Sequence, residues 1–198
     1  TGRVVQACRE YLHQEPLLVE AGIRTGIRIR YEDPRQVGAD RVADAVAVYH
    51  LYGGPACIID FGTATTFNAL TREGDYLGGA ITAGIGLAAE ALFQRAAKLP
   101  RIDLQRPPSI IGRNTVHAMQ SGLLFGYVAM TEGMVERFRK ELGKDMKVIA
   151  TGGWAELIAK ETNVIDILAP WLTLDGLRIL WQLNRPDQYP GRSARGRR

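Results

Sequence analysis

Apolar residues along this chain follow two rhythms, and the change between them outlines the architecture. Residues 56–61, Ala-Cys-Ile-Ile-Asp-Phe, form an almost unbroken apolar run of strand length. Residues 65–70 and 76–81 repeat that scale, with Glu73-Gly74-Asp75 as the hairpin turn between them. Helical spacing then takes over at residues 85–98. It returns at 116–142, where Met119, Leu123, Tyr127, Met130, Met134, Phe138 and Leu142 recur at steps of three and four. The intervening residues 99–111 hold three prolines and read as loop. A strand at 146–150, a Gly152-Gly153 turn, a helix at 154–160 and a closing helix at 172–183 complete the second part. Ahead of residue 56 the pattern predicts a helix at 4–13, a short strand at 17–19, apolar–basic alternation over 22–31, and a turn at 33–35. An Ala- and Val-rich helix follows at 41–52 and ends at Gly53-Gly54-Pro55, the candidate domain boundary. Hairpin strands first, then helix, long helix, strand and helix, indicate a mixed α/β fold rather than a simple alternating doubly wound sheet.

Composition narrows the classes. Of 198 residues, 46% are hydrophobic and 23% charged, which is globular usage and excludes disorder across the chain. The formal charge of +4 sits in residues 185–198, where five arginines face the single acid Asp187. The basicity therefore describes a tail, expected to be disordered, and no nucleic-acid face is expected. No apolar run approaches the roughly 18 residues of a membrane span, so no membrane contact is expected either. Cys8 and Cys57 match neither a disulfide framework nor a metal spacing. Cys57, inside an apolar run, is expected to be a buried free thiol, which suits a reducing, cytoplasmic compartment.

Four clusters carry candidate chemistry. In Asp60-Phe61-Gly62-Thr63-Ala64-Thr65-Thr66 an apolar strand delivers an acid, a glycine and three hydroxyls. Phosphoryl transfer uses such parts: Gly62 lets the backbone approach a phosphate, Thr63 and Thr65 offer hydroxyls, and Asp60 can hold a cation. An ordinary Thr-rich hairpin is the alternative. In Gly38-Ala39-Asp40-Arg41, Asp40 stands where a helix begins. It is either a capping carboxylate or the group that accepts a proton from an attacking hydroxyl. Arg41 offers a donor fork for a carboxylate or phosphate. Gly112-Arg113-Asn114-Thr115 precedes the long helix, as a plain cap or as a ligand contact. Thr151-Gly152-Gly153 is a tight turn or a place where a nucleotide lies against the backbone.

Taken in order, these segments resemble the type III pantothenate kinases. The resemblance runs through Val37-Gly38-Ala39-Asp40-Arg41-Val42-Ala43, the Asp60–Phe67 stretch, Leu77-Gly78-Gly79-Ala80-Ile81, Asn114-Thr115 with Ala118-Met119-Gln120-Ser121-Gly122, Thr151-Gly152-Gly153, and Leu172-Thr173-Leu174-Asp175-Gly176-Leu177. It covers residues 1–184.

The resemblance implies the acetate-kinase, sugar-kinase and actin-like (ribonuclease H-like) fold, with two related α/β domains and ATP between them. Residues 1–54 would be the remnant of an incomplete first domain, and residues 55–184 the second. It implies ATP-dependent phosphorylation of pantothenate to 4′-phosphopantothenate, the first step of coenzyme A biosynthesis. Asp40 matches the catalytic proton acceptor, and Gly38, Ala39, Asp40, Arg41 and Thr115 match the pantothenate contacts. Thr63, with Gly62 and Thr65 beside it, matches the ATP contact. Asp60 matches the ligand of a monovalent cation, K⁺ or NH₄⁺, while Mg²⁺ travels with ATP. A homodimer is implied as well.

Three departures stand out. The family opens with an Asp-x-Gly-Asn-Thr phosphate loop that residues 1–36 do not carry, so a missing N-terminal segment is expected. Asn68 replaces a usual Asp, and Ala83 a usual Pro. A non-catalytic binding relative and another small-molecule kinase of the superfamily are the rival readings.

Overall fold

The protein is described by a computed structural model covering residues 2–185. In chain order its elements are α1 (Gly2–Leu12), β1 (Arg28–Ile29), α2 (Ala39–Leu51), β2 (Ala56–Phe61), β3 (Ala64–Leu70), β4 (Asp75–Ala83) and α3 (Ile85–Arg95). Then come α4 (Thr115–Leu142), β5 (Lys147–Thr151), α5 (Ala155–Ala159), β6 (Ile167–Leu168) and α6 (Leu172–Asn184). The six strands form one mixed sheet in the order β1-β4-β3-β2-β5-β6. β2, β3 and β4 are an antiparallel meander, while β5 runs parallel to β2, β6 parallel to β5, and β1 parallel to β4.

The central strands are apolar on both faces because both faces are covered. On one side Ala56, Ile58, Leu70, Tyr76 and Ile149 pack beneath α2 and α6. On the other, Cys57, Ile59, Phe61, Phe67, Val148 and Ala150 pack beneath α3, α4 and α5. Cys57 is buried and free, as expected from its apolar surroundings.

α2 is the most deeply enclosed helix. Every residue from Arg41 to Val48 is buried. Its alanines and valines allow this, since they bury with little bulk and let α6 come close. The closest approach is at Gly176, where a Cβ would stand 2.0 Å from the Ala43 carbonyl oxygen. α2 and β1 precede residue 55, yet they join the core and the sheet built by the residues after it.

Some expectations need correction. Residues 17–19 form no strand: they have no partner strand, and Val19 instead lies part-buried against the α2–α6 core. Only Arg28–Ile29 of the alternating stretch 22–31 pairs, along the free edge of β4. α3 stops at Arg95, short of residue 98. β6 was not foreseen, because two residues carry no readable period. The tail beyond Arg185 lies outside the described residues.

Candidate active site

The two-residue alternation of the strands decides which side chains share a face. Asp60 lies opposite Thr66, and Asn68 opposite Ile58, across the β2–β3 ladder. Asp60, Thr66 and Asn68 therefore project toward the α2–α6 layer, alongside Ile58 and Tyr76. The neighbouring pair, Phe61 and Thr65, projects the other way, beneath α4.

α2 delivers a second set of polar groups to the same face. Gly38 caps the helix, Ala39 and Asp40 are exposed, and burial begins at Arg41. Asp40 Oδ1 accepts a 2.8 Å hydrogen bond from the Arg41 backbone N–H. A side chain at residue 38 would crowd it, since a Cβ on Gly38 would come within 2.5 Å of that oxygen. Arg41 Nε donates to Asn68 Oδ1 at 2.7 Å, and the Tyr76 hydroxyl donates to the same oxygen at 2.8 Å. Asn68 Nδ2 donates in turn to Thr66 Oγ1 at 3.0 Å. One turn beyond Asp40, the buried Asp44 accepts a 2.7 Å hydrogen bond from Thr173 Oγ1 of α6.

Two of the carboxyl groups on this face, Asp60 and Asp44, are shifted by burial and by neighbouring negative charge. Burial raises the pKa of Asp60, and the negative charge of Asp40 raises it further. Asp44 is pushed up to about 7, first by burial. The Thr173 hydrogen bond opposes the shift, and the charges of Asp60 and Asp40 add to it. Acids perturbed by burial together with specific charged neighbours are a physical signature of functional sites.

A cavity of about 320 Å³ adjoins Asp60, walled by Thr151, Gly152, Gly153, Glu156 and Thr173 among others. Gly152 has φ 94°, and a Cβ there would press to 2.4 Å from Asp60 Oδ1. Only glycine meets both conditions, so this turn is built to leave the carboxylate room. Among the described residues no donor bonds to the Asp60 carboxylate, which leaves its oxygens free to ligate a cation. No group of three or more His, Cys, Asp or Glu side chains is arranged to hold a metal among the described residues.

The remaining candidates are placed unevenly. Gly62 and exposed Thr63 form the bend after β2. The Gly62 N–H donates to the Ala64 carbonyl at 3.1 Å, and the Thr63 carbonyl accepts from the Gly84 N–H at 2.9 Å. Thr65 is fully buried, with its hydroxyl unpartnered, on the face opposite Asp60. Strand alternation turns its side chain into the core beneath α4, away from the face that carries Asp60. Thr115 opens α4 at an exposed position. Asn114 caps the helix through a 2.8 Å bond from the His117 N–H. Among the described residues no hydrogen bond ties Thr115 to Asp40 or Asp60. Sequence reasoning gave no role to Asp44, Tyr76 or Thr173, and quoted Thr66 only as one hydroxyl of the Asp60 cluster. Asp44 alone left a usable signal, the helical i, i+4 spacing from Asp40.

Residues 1–137 match the family described as type III pantothenate kinase. A protein of Moorella thermoacetica named type III pantothenate kinase is 55% identical over 173 residues, which are 87% of this chain and 68% of that protein. Among solved structures, a conserved Baf family transcriptional activator from Campylobacter jejuni matches with a TM-score of 0.57. It covers 81% of this chain and 69% of its own at 20% identity, a likeness of fold alone.

Proposed function

The chain belongs to the type III pantothenate kinase family, and from that premise we propose that its site transfers the γ-phosphoryl group of ATP to the terminal hydroxyl of pantothenate. The product is 4′-phosphopantothenate, which begins coenzyme A biosynthesis. The observation that carries the reading is the placement of Asp40 and Asp60 on one face, near enough that the charge of Asp40 bears on Asp60.

In this reaction the pantothenate oxygen forms a bond to the γ-phosphorus and the bond to the β,γ-bridging oxygen breaks. ADP leaves, and the hydroxyl proton passes to Asp40. Asp40 suits that role because it is exposed at the open start of α2 while the rest of the helix is clamped. The transition state is loose, so holding the hydroxyl in line matters more than a strong base. Gly62 and Thr63 line the bend for the phosphates, and the cavity beside Gly152 and Gly153 takes the remainder of the nucleotide. Asp60 fits a monovalent cation, K⁺ or NH₄⁺, which offsets phosphate charge when bound. Mg²⁺ enters with ATP, bound through the phosphates.

Arg41 and Thr115 hold pantothenate. A homodimer belongs to the reading, supported by the exposed Ile110, Ile111 and Val116 beside Thr115. So does a duplicated actin-like fold, in which residues 1–54 are the remnant of one unit and 55–184 the other. Two free cysteines suit a cytoplasmic enzyme. No helix among the described residues is long and apolar enough to cross a membrane.

The test is an acceptor panel of pantothenate, simple sugars and acetate, each with MgATP and KCl, with products identified by mass. Phosphopantothenate is the expected product. Phosphorylation of a sugar or acetate but not of pantothenate would overturn the reading.

A further inference from the structure

The cavity beside Asp60 runs across the carboxyl ends of three parallel strands. Asp60 pairs with Thr151 between β2 and β5, and Ala150 pairs with Leu168 between β5 and β6. Neighbouring strands lie about 4.8 Å apart, so the wall at Leu168 stands roughly 10 Å from the strand that carries Asp60. That span suits the sugar and base of a nucleotide whose phosphates lie at the Gly62–Thr63 bend. Parallel strands take their ligands at this end. The walls change in chemistry along the span. Leu168 and Pro170 form an exposed apolar rim, and Gly153 has open space where a Cβ would stand. Glu156, on α5, is the one acid besides Asp60 among the residues that line the cavity.

Lys160 Nζ donates to Glu156 Oε1 at 2.8 Å, and that bond holds the carboxyl below its ordinary pKa. Glu156 is therefore an ionised, acceptor-only group near neutral pH. Among the described residues no hydrogen bond reaches its Oε2. The pair is exposed, with side chains 67% and 72% accessible, so it contributes little to the fold. An ionised acid on the wall of this cavity repels phosphate and attracts donors. Between its phosphates and its base, a ribonucleotide offers two donors, the hydroxyls of the ribose.

We propose that Glu156 is a specificity-determining residue for the phosphoryl donor: its Oε2 accepts a hydrogen bond from the 2′-hydroxyl of the bound nucleotide, while the base rests on Leu168 and Pro170. The proposal rests on the reading that this cavity takes the nucleotide. It makes the site selective for a ribonucleotide. A deoxyribose leaves Oε2 without its donor and forfeits one charge-assisted hydrogen bond. The apolar rim contributes stacking surface and no polar contact, so discrimination falls on the sugar rather than on the edge of the base.

Calorimetric titration with MgATP and with its 2′-deoxy counterpart tests this, with melting temperature measured alongside. Wild-type protein should bind ATP about tenfold more tightly than dATP. Glu156→Ala should weaken ATP to the level of dATP, leave dATP within about twofold of wild type, and leave the melting temperature unchanged. Glu156→Gln keeps an acceptor oxygen and should retain part of the preference. Lys160→Ala breaks the same surface pair but keeps the acid, and should retain most of it. Equal wild-type affinity for the two nucleotides would overturn the proposal. So would a Glu156→Ala protein that keeps the full preference or weakens both nucleotides alike, or a Lys160→Ala protein that loses the preference as completely as Glu156→Ala. Wild-type protein that binds neither nucleotide would overturn the functional reading itself.

Discussion

Thr173 Oγ1 donates a 2.7 Å hydrogen bond to Asp44 Oδ1, tying the start of α6 to the buried second turn of α2. The carboxyl it meets is 1% exposed and pushed up to about 7, mainly by burial. An aspartate in the unfolded chain titrates near 4. Between about pH 4 and 7 the folded protein therefore keeps a proton that the unfolded chain has released. Stability that is fully present below pH 4 is lost as pH rises through about 7, at a limiting slope of about 1.4 kcal/mol per pH unit. Asp44→Asn removes this loss and keeps the bond from Thr173. Its melting temperature should match that of wild type near pH 4.5 and exceed it by several degrees at pH 8. A difference that does not change with pH would end this account.

Asp40 separates chemistry from folding. It is exposed and makes one local bond to the backbone. Asp40→Ala should lower kcat by about 10²–10⁴, the range of a positioned proton acceptor. The stability cost should stay near 1 kcal/mol, the worth of a capping or first-turn acid. Steady-state rates and a urea melt on the same preparation check both. Near-wild-type turnover would remove Asp40 from the mechanism.

If Asp60 holds the monovalent cation as proposed, it sets the response to K⁺. With wild-type protein at fixed ionic strength, replacing NaCl by KCl should raise the rate to a plateau. Asp60→Asn removes the charge that holds the cation, so its rate should be low and indifferent to the exchange. The readout is rate against K⁺ concentration. An unaltered K⁺ response in the variant would place the cation elsewhere.

Two glycine replacements should act in opposite directions. A Cβ at Gly176 would sit 2.0 Å from the Ala43 carbonyl oxygen, so Gly176→Ala forces α6 away from α2. It should cost roughly 1–3 kcal/mol, and turnover should fall as Asp40 shifts with its helix. Gly122, exposed on α4, has nothing within 4 Å of a built Cβ. Gly122→Ala should stabilise the monomeric fold by up to about 1 kcal/mol through helix propensity. Chemical denaturation of both variants gives the comparison.

Much of this was legible in the residues, and the boundary of legibility is physical. β2, β3 and α4 begin and end within a residue or so of their expected limits, because long apolar periods and a Gly-containing bend fix them. The clustering of the Asp40 and Asp60 segments came from motif order. What escaped depends on pairing rather than pattern. Thr65 and Thr66 look equivalent until the Asp60–Thr66 register is known, and that register puts one in the core and the other at the site. The Thr173–Asp44 bond spans 129 positions, a distance no local period reports. β1 and β6, at two residues each, exist only because a neighbouring strand edge offers them partners.

The enclosure of α2 has a further consequence for how the enzyme can be retuned. A helix hemmed in from Arg41 to Val48 has no room to slide, so swapping its inward residues disturbs folding before it changes preference. Latitude lies instead in the irregular segment opposite its first turn. There Val19, Ile23, Ile27, Pro34 and Ala39 border a hollow of about 580 Å³. Substitutions in that wall leave the rigid helix, and the Asp40 it carries, as a fixed reference.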